Sequence, residues 1–187
     1  NGMRDLVSSF SPPFSTIVEK DTDLSGMNVL GRWTRDLSAR SGLALQIYYD
    51  NTFRREPRFR ERRNTFDFDF QHRFELTGRR ELIWGLGYRY TRGDTDTVPT
   101  LVVSPKNRAD HLFSAFLQDE IVLLEDRLRL TVGSKFEHND YTGFEFQPSA
   151  RILWTPTEQQ SLWAAISRAV RTPSRIDRDI VASSAPD

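Results

Sequence analysis

Cysteine, lysine and long apolar runs are scarce or missing in this sequence of 187 residues. Without cysteine, the chain has neither a disulfide framework nor a thiolate metal site. Three of its 26 basic residues are lysine, and its formal net charge is zero. A neutral chain has no overall field that attracts nucleic acid, so we predict no nucleic-acid partner.

The longest apolar stretches fall well short of the roughly 18 consecutive residues that a transmembrane helix requires. The mean hydropathy of −0.56 is in the range of soluble proteins. A transmembrane barrel is compatible with the same value, because about half of the residues in its strands are polar. Hydropathy alone therefore leaves a soluble protein and a membrane barrel both open.

Alternation is the dominant pattern that the sequence does contain. In residues 65–74, "TFDFDFQHRF", phenylalanine occupies positions 66, 68, 70 and 74, and most positions between them are polar. Side chains of an extended strand point alternately to its two faces, so one face is nearly all phenylalanine and the other is polar. Such a face is buried either in a protein core or in the hydrocarbon of a membrane.

Seven further segments alternate in the same way, with different regularity: 27–35, 43–53, 81–91, 112–122, 128–138, 147–155 and 161–170. Each has about nine to eleven residues, the length that a tilted strand needs to cross a bilayer. We therefore predict an all-β fold, an antiparallel up-and-down meander of about eight strands, which forms a partial transmembrane barrel over residues 27–170.

The connections between these strands alternate along the chain between two kinds. Four are short and turn-like, at 36–42, 75–80, 123–127 and 156–160, whereas those at 54–63, 92–110 and 139–145 are rich in charge and no shorter. Outer-membrane barrels show this arrangement, with the short turns in the periplasm and the long loops outside. On this interpretation residues 1–26 are a loop, a long extracellular segment or the start of an expressed fragment, and 171–187 begin another long extracellular loop.

Two stretches carry a family resemblance. They are 116–138, "FLQDEIVLLEDRLRLTVGSKFEH", and 146–175, "FQPSARILWTPTEQQSLWAAISRAVRTPSR". The second matches a known hairpin pattern at Pro148, Trp154, Pro156, Arg171, Pro173 and Ser174. Both resemble the barrel of TonB-dependent outer-membrane receptors.

The resemblance implies an internal piece, about a third of the wall, of a 22-stranded transmembrane barrel in the bacterial outer membrane. It further implies TonB-dependent uptake of a scarce ligand such as a siderophore, cobalamin or a glycan. The implied partners are outer-membrane lipid and lipopolysaccharide and, in the full-length protein, a plug domain, the TonB energy-coupling complex and the small-molecule ligand. The family's plug is not found in this sequence.

Catalytic chemistry has little support, and we predict no enzyme, no cofactor and no metal. The histidines show no metal-ligand spacing, although His138, Asp140 and Glu145 could converge in a loop. The neighbouring carboxylates Asp119 and Glu120 point to opposite faces of their strand and cannot act as an acid/base pair.

The segment 54–63, "RREPRFRERR", has six arginines and two glutamates. Guanidinium groups bind carboxylates and phosphates through two parallel hydrogen bonds, so this segment could attract an anionic ligand or contact lipopolysaccharide phosphates. The alternative is a solvated loop that keeps the rim soluble. The candidate ligand-binding residues are Arg54, Arg55, Arg58, Arg60, Arg62 and Arg63.

A different class of protein also satisfies the alternation. A soluble β-domain, either a closed eight-stranded barrel or a sandwich, would turn the phenylalanine faces inward and bind a small ligand. The position of those faces separates the two hypotheses.

Overall fold

The structure, a computed structural model, describes residues 3–11, 14–56, 59–97 and 101–182. Eleven strands and one short helix lie in these residues. They are β1 (Met3–Ser11), β2 (Phe14–Ser38), β3 (Ser41–Glu56), β4 (Phe59–Thr77), β5 (Arg80–Thr97), β6 (Leu101–Val103), β7 (Asn107–Leu124), β8 (Leu128–Asn139), β9 (Gly143–Thr157), β10 (Gln160–Ser167), α1 (Arg175–Asp179) and β11 (Ile180–Ala182).

Nine of the strands form one antiparallel sheet in the order β1-β2-β3-β4-β5-β7-β8-β9-β10. Each strand therefore pairs with its neighbours in the chain, apart from the insertion of β6. All eight predicted strands are present, as β2 to β5 and β7 to β10, and the predicted all-β meander is confirmed. The four connections predicted to be short are turns of two or three residues.

The register keeps the two faces apart across the sheet. One continuous row of paired residues is apolar: Trp33, Leu45, Phe70, Leu86, Ala115, Phe136 and Phe146. The row beside it is polar or small: Arg32, Gln46, Asp69, Gly87, Ser114, Glu137 and Glu145. Because a shift of one residue would exchange the faces, this alternation fixes the register of these six strand pairs. We call these two sides the apolar face and the polar face.

The apolar face packs against no other layer of the described residues. Large side chains on it remain open, including Leu86 at 49% and Phe113 at 53% exposure, and Val103 is the one buried hydrophobic residue in the described ranges. A soluble barrel or sandwich would cover these side chains, so the soluble alternative is not favoured. The helix α1 has five residues, and no helix in the described part of the chain is long and apolar enough to cross a membrane.

Two segments predicted to be charged loops are instead largely strand, and that prediction was wrong. The strands β3 and β4 extend through 54–63, apart from residues 57 and 58, which lie outside the described ranges. Arg54 lies opposite Glu61, and Arg60 lies opposite Asp96. Opposite charges paired across strands stabilise a sheet, so these polar stretches continue the ladder. The segment 92–110 likewise contains the end of β5 and the beginning of β7, and β6 lies between these two strands in the sequence.

The terminal segments also contain more regular structure than a loop. Within 1–26, β1 pairs with the first part of β2 from Met3↔Thr22 to Ser11↔Phe14, as a ninth strand. The sequence there includes Thr16, Ile17 and Val18, whose branched side chains favour strands. In 171–187, α1 is followed by β11, which pairs with β6 in a separate two-stranded sheet. Residues 183–187 lie outside the described ranges.

Candidate functional site

The arginines of the 54–63 segment are divided between the two faces. Arg54 and Arg63 belong to the polar face. Arg54 lies opposite Glu61, and Arg63 lies in one row of paired residues with Gly93 and Arg108. Arg55, Arg60 and Arg62 point to the opposite side of the same strands. Arg58 lies outside the described residues. Strict alternation along paired strands causes this division.

Two of these arginines have a partner within the segment, and two have a partner outside it. Arg54 pairs with Glu56, and Arg63 Nη2 lies 2.5 Å from Glu61 Oε1. On the other side, Arg60 Nε lies 3.9 Å from Asp96 Oδ2, and the Arg62 guanidinium lies 5.6 Å from the centroid of the Phe53 ring. The local excess of positive charge is therefore partly balanced on both faces.

A cleft of about 450 Å³ opens on the polar face at the end of the sheet that carries the charged connections. Four arginines from four elements line it: Arg63 of β4, Arg89 of β5, Arg108 of β7 and Arg175 of α1. We call this the arginine cleft. Three of these side chains come from adjacent strands, and the fourth comes from the segment that follows β10.

Each arginine of the cleft has a carboxylate partner. Arg89 Nε lies 2.7 Å from Asp67 Oδ2, Arg108 Nε lies 2.6 Å from Asp110 Oδ1, and Arg63 binds Glu61 as described above. Arg108 Nη1 also donates to Asp179 Oδ1 at 3.2 Å, and Arg175 Nε lies 3.4 Å from Asp179 Oδ2. A guanidinium has five N–H donors, so each arginine keeps donors for a further oxygen acceptor.

The side chain of Tyr141 forms one wall of the arginine cleft beside Arg108. Its ring centroid lies 4.2 Å from the Arg108 guanidinium, which is within cation–π range. The tyrosine hydroxyl donates to Asp110 Oδ2 at 3.4 Å, and burial raises the pKa of Tyr141 above its usual value near 10. The phenol therefore remains a neutral hydrogen-bond donor at physiological pH.

The turn that carries Tyr141 is held by the preceding strand. Asn139 Oδ1 accepts hydrogen bonds from the backbone N–H groups of Tyr141 at 2.9 Å and of Thr142 at 2.8 Å. Asn139 is 4% exposed, so these hydrogen bonds are protected from water. The loop thus presents Tyr141 to the cleft in a fixed position.

Comparison with known proteins identifies the barrel. The sequence model of the family described as "TonB dependent receptor-like, beta-barrel" matches residues 14–182, most of the chain. The chain belongs to this family. A solved structure, the siderophore receptor PirA from Pseudomonas aeruginosa, superposes with a TM-score of 0.61 at 15% identity, over 92% of this chain and 35% of that one.

A curated relative matches a shorter region. The ferric enterobactin receptor of Pseudomonas aeruginosa is 34% identical over 73 residues, which is 37% of this chain and 10% of that receptor. The chain thus spans about a third of the solved relative and matches about a tenth of the curated one. The predicted membership of the TonB-dependent receptors and the location in the outer membrane are confirmed.

Family membership orients the two faces. In an outer-membrane barrel the apolar side chains face lipid and the polar ones face the lumen. The polar face of this TonB-dependent receptor barrel therefore lines the lumen, and the arginine cleft opens into it. Arg54 and Arg63 face the lumen, whereas Arg55, Arg60 and Arg62 lie on the lipid-facing side of the same strands.

The sequence prediction missed Arg89, Arg108, Tyr141 and Arg175. A local signal existed for Arg89, because the alternation of 81–91 places it on the polar face. His138, Asp140 and Glu145 do not form a metal site, and no group of three or more such ligands occurs among the described residues. What the cleft can do is bind an anion through several guanidinium groups and a neutral phenol.

Proposed function

We propose that this barrel belongs to a receptor that takes up a small anionic ligand, a ferric siderophore, through TonB-dependent transport. The arginine cleft is the observation that carries the proposal, since it brings four guanidinium groups from four elements to one place. Each guanidinium is paired with a carboxylate but keeps N–H donors for further acceptors, which suits a ligand that presents several anionic oxygens. The names of the two relatives, both receptors for siderophores, support the same class of ligand.

The orientation in the membrane and the partners follow from the same proposal. The end of the sheet with the arginine cleft faces the cell exterior, where the ligand arrives, and the short turns face the periplasm. A plug domain fills the lumen beside the polar face, and the TonB complex supplies energy from the inner membrane. Residues 1–26 and 171–187 then lie at the external end.

The arginines on the lipid-facing side have a different proposed partner. Arg62 lies four residues beyond the Phe66–Tyr90 pair and Arg60 lies six residues beyond it, at about 3.4 Å per residue along the strand. Aromatic residues form girdles at the membrane interface, so these arginines extend outward from it. At that height they meet the phosphates of lipopolysaccharide, which guanidinium groups bind well.

The experiment compares arginines on opposite faces of the same strands. The complete receptor is expressed in the outer membrane with Arg63→Gln and Arg89→Gln together, or with the control pair Arg60→Gln and Arg62→Gln. Hydrogen bonds to charged groups contribute about 1.5–3 kcal/mol each, so loss of one from Arg63 and one from Arg89 should weaken binding of a ferric siderophore by about a hundredfold or more. The control pair should change it by about twofold or less.

Binding is measured on purified receptor, and uptake is measured with radioactive iron presented as complexes of several siderophores. Receptor levels in the outer membrane are matched by immunoblot. Equal loss of binding in the two pairs would show that the arginine cleft is not the binding site. Failure to take up any ferric siderophore would contradict the proposed ligand class.

A further inference from the structure

The segment 171–182 crosses the polar face as a strap. It follows β10 at the edge of the sheet, and its residues Thr172 to Arg175 line the arginine cleft together with side chains of β4, β5 and β7. Its last residues form β11, which pairs with β6 from Ile180↔Val103 to Ala182↔Leu101. The strap therefore connects the end of the meander to the β5–β7 connection.

Arg175 attaches the strap to the end of β5 and to that connection. Its Nη1 donates to Thr95 Oγ1 at 2.9 Å, and its Nη2 donates to the carbonyl oxygens of Pro105 and, at 2.9 Å, of Lys106. The Arg175 Nε is buried and makes no hydrogen bond of good geometry in the described residues. One donor of this guanidinium is thus left without a well-aligned acceptor.

Asp179 lies between two arginines of the cleft. Its side chain is 6% exposed, and its two oxygens accept from Arg108 Nη1 at 3.2 and 3.4 Å. The Asp179 Oδ2 lies 3.4 Å from Arg175 Nε, and the Asp179 backbone oxygen accepts from Ser104 N at 3.0 Å. A planar carboxylate is therefore held between two guanidinium groups, with contacts longer than the best charge-assisted bonds.

The other carboxylates of the cleft differ from Asp179 in origin. Glu61, Asp67 and Asp110 all lie on strands of the main sheet, beside or opposite the arginine that each one binds. Their backbones are fixed in the sheet, so each can separate from its arginine only by a change of side-chain rotamer. Asp179 is carried by a five-residue helix outside the sheet, so it can leave when the strap moves.

We propose that Asp179 occupies a carboxylate subsite of the arginine cleft, and that a carboxylate group of the ligand displaces it and releases the strap. The inference rests on the proposed function and narrows its ligand class to carboxylate-bearing iron chelates. The geometry carries this choice, since Arg108 contacts both oxygens of a planar two-oxygen group and Arg175 contacts one of them. A dianionic group in the place of this carboxylate would be disfavoured, because it would add a second negative charge beside the Asp110 carboxylate.

Citrate, free of iron, serves as the probe, and the complete receptor in detergent micelles is the sample. The chain has no cysteine, so Arg178→Cys on the exposed side of α1 accepts a single spin label within these residues. Citrate should mobilise this label in a saturable way. If the docked strap outweighs the released strap by about tenfold, Asp179→Asn should raise the affinity for citrate by about tenfold and mobilise the label without citrate.

Two variants separate displacement from general loosening. Asp177→Asn removes a carboxylate from the same helix, but Asp177 binds Ser174 and Arg171 and neither Arg108 nor Arg175. It should change citrate affinity by about twofold or less, whereas Arg108→Gln should weaken citrate binding by about tenfold or more. An equal gain in Asp177→Asn and Asp179→Asn would overturn the proposal, as would citrate binding that leaves the label immobile.

Absence of citrate binding in both the unsubstituted receptor and Asp179→Asn would also overturn it. These outcomes leave the proposed function intact if ferric siderophore uptake still depends on Arg63 and Arg89. Loss of all siderophore uptake in the unsubstituted receptor would instead contradict the proposed function itself. The two failures are therefore distinguishable.

Discussion

The two faces of the sheet are stabilised in opposite ways. On the apolar face, rings pack against rings, as in Phe70–Trp84 with centroids 5.4 Å apart and Phe136–Phe146 at 5.2 Å. On the polar face, guanidinium groups pair with carboxylates on the same or the next strand, as in Arg89–Asp67. The apolar face needs lipid to cover it, whereas the polar face satisfies its own charges. One strand thus carries two independent sets of interactions, separated only by odd and even positions.

Two of the histidines on the apolar face each have a hydrogen-bond partner there. His72 accepts a hydrogen bond from Trp84 Nε1 at 3.1 Å and lies 2.9 Å from Ser41 Oγ, near the end with the short turns. His111 Nδ1 lies 2.9 Å from the hydroxyl of Tyr88, near the other end. Unpaired polar groups are costly in hydrocarbon, and both of these histidines have an aromatic partner with a polar atom.

The largest expected effect tests the assignment of the faces. Phe70 is the central phenylalanine of the 66–74 alternation, so Phe70→Arg places a charge near the middle of the lipid-facing band. We expect the free energy of unfolding of the complete receptor in lipid vesicles to fall by about 2–4 kcal/mol. The matched control is Asp69→Arg, one position away on the polar face, opposite Gln46 and Gly87. Its cost should be about 0.5 kcal/mol or less, as for other surface substitutions.

Urea titrations of the two variants measure this difference. A similar loss of stability in both would mean that the two faces are not distinguished by lipid, and the orientation of the barrel wall would then be wrong.

A second, smaller effect concerns crowding on the polar face. A Cβ at Gly85 would approach the Phe116 ring and lie 2.6 Å from the carbonyl oxygen of Phe70, so Gly85→Ala forces a shift. We expect it to lower the free energy of unfolding by about 1–3 kcal/mol. The control is Gly31→Ala, since nothing lies within 4 Å of a Cβ at Gly31. That change should be neutral or stabilising by about 0.4–1 kcal/mol, because it restricts the unfolded chain.

The double variant Gly85→Ala with Phe116→Ala tests the cause. Removal of the ring takes away one of the two close contacts, so it should restore part of the stability relative to Phe116→Ala alone. No restoration would assign the whole cost to the backbone contact with Phe70.

The strands were predictable because their signal is local. A period of two in the hydrophobic pattern requires no knowledge of distant residues, and the segments 43–53, 65–74 and 81–91 were all found in this way. The same alternation, continued from Phe66 toward the N-terminus, would have placed Arg63 on the polar face and Arg62 on the apolar face. Treating 54–63 as a loop removed this information, because a loop has no fixed alternation.

The arginine cleft was not predictable because its signal is distant in sequence. Arg175 meets Thr95 across 80 residues, and Arg108 meets Asp179 across 71. Nothing in the alternation of 161–170 indicates that the chain after it returns to the β5–β7 connection. Such a contact depends on tertiary arrangement, which a local pattern cannot specify.

The smallest expected effect concerns order at the start of the strap. The strap covers part of the polar face and has no counterpart on the apolar face in the described residues. Asp177 Oδ2 accepts hydrogen bonds from Ser174 N at 2.8 Å, from Ser174 Oγ at 2.9 Å and from Arg171 Nη2 at 3.0 Å. The backbone bond from Ser174 is the main cause that lowers the pKa of Asp177 below its usual 3.8. A carboxyl with a lowered pKa stabilises the folded state fully above its unfolded pKa, and this contribution is lost as the pH falls through the folded value. Order at the start of the strap should therefore be constant at neutral pH and decrease only below about pH 4.

A spin label at Thr172→Cys measures this order, and a label at Arg178→Cys serves as the reference. The contacts of Arg175 and the β6–β11 pairing hold the rest of the strap, so mobility should increase at position 172 at a higher pH than at position 178. In Asp177→Asn the label at position 172 should be mobile at every pH, since the amide oxygen carries no charge and forms weaker hydrogen bonds. Simultaneous release at both positions would mean that another carboxylate, and not Asp177, controls order at the start of the strap. A label at position 172 that remains ordered in acid would show that the bonds to Ser174 and Arg171 contribute nothing to it.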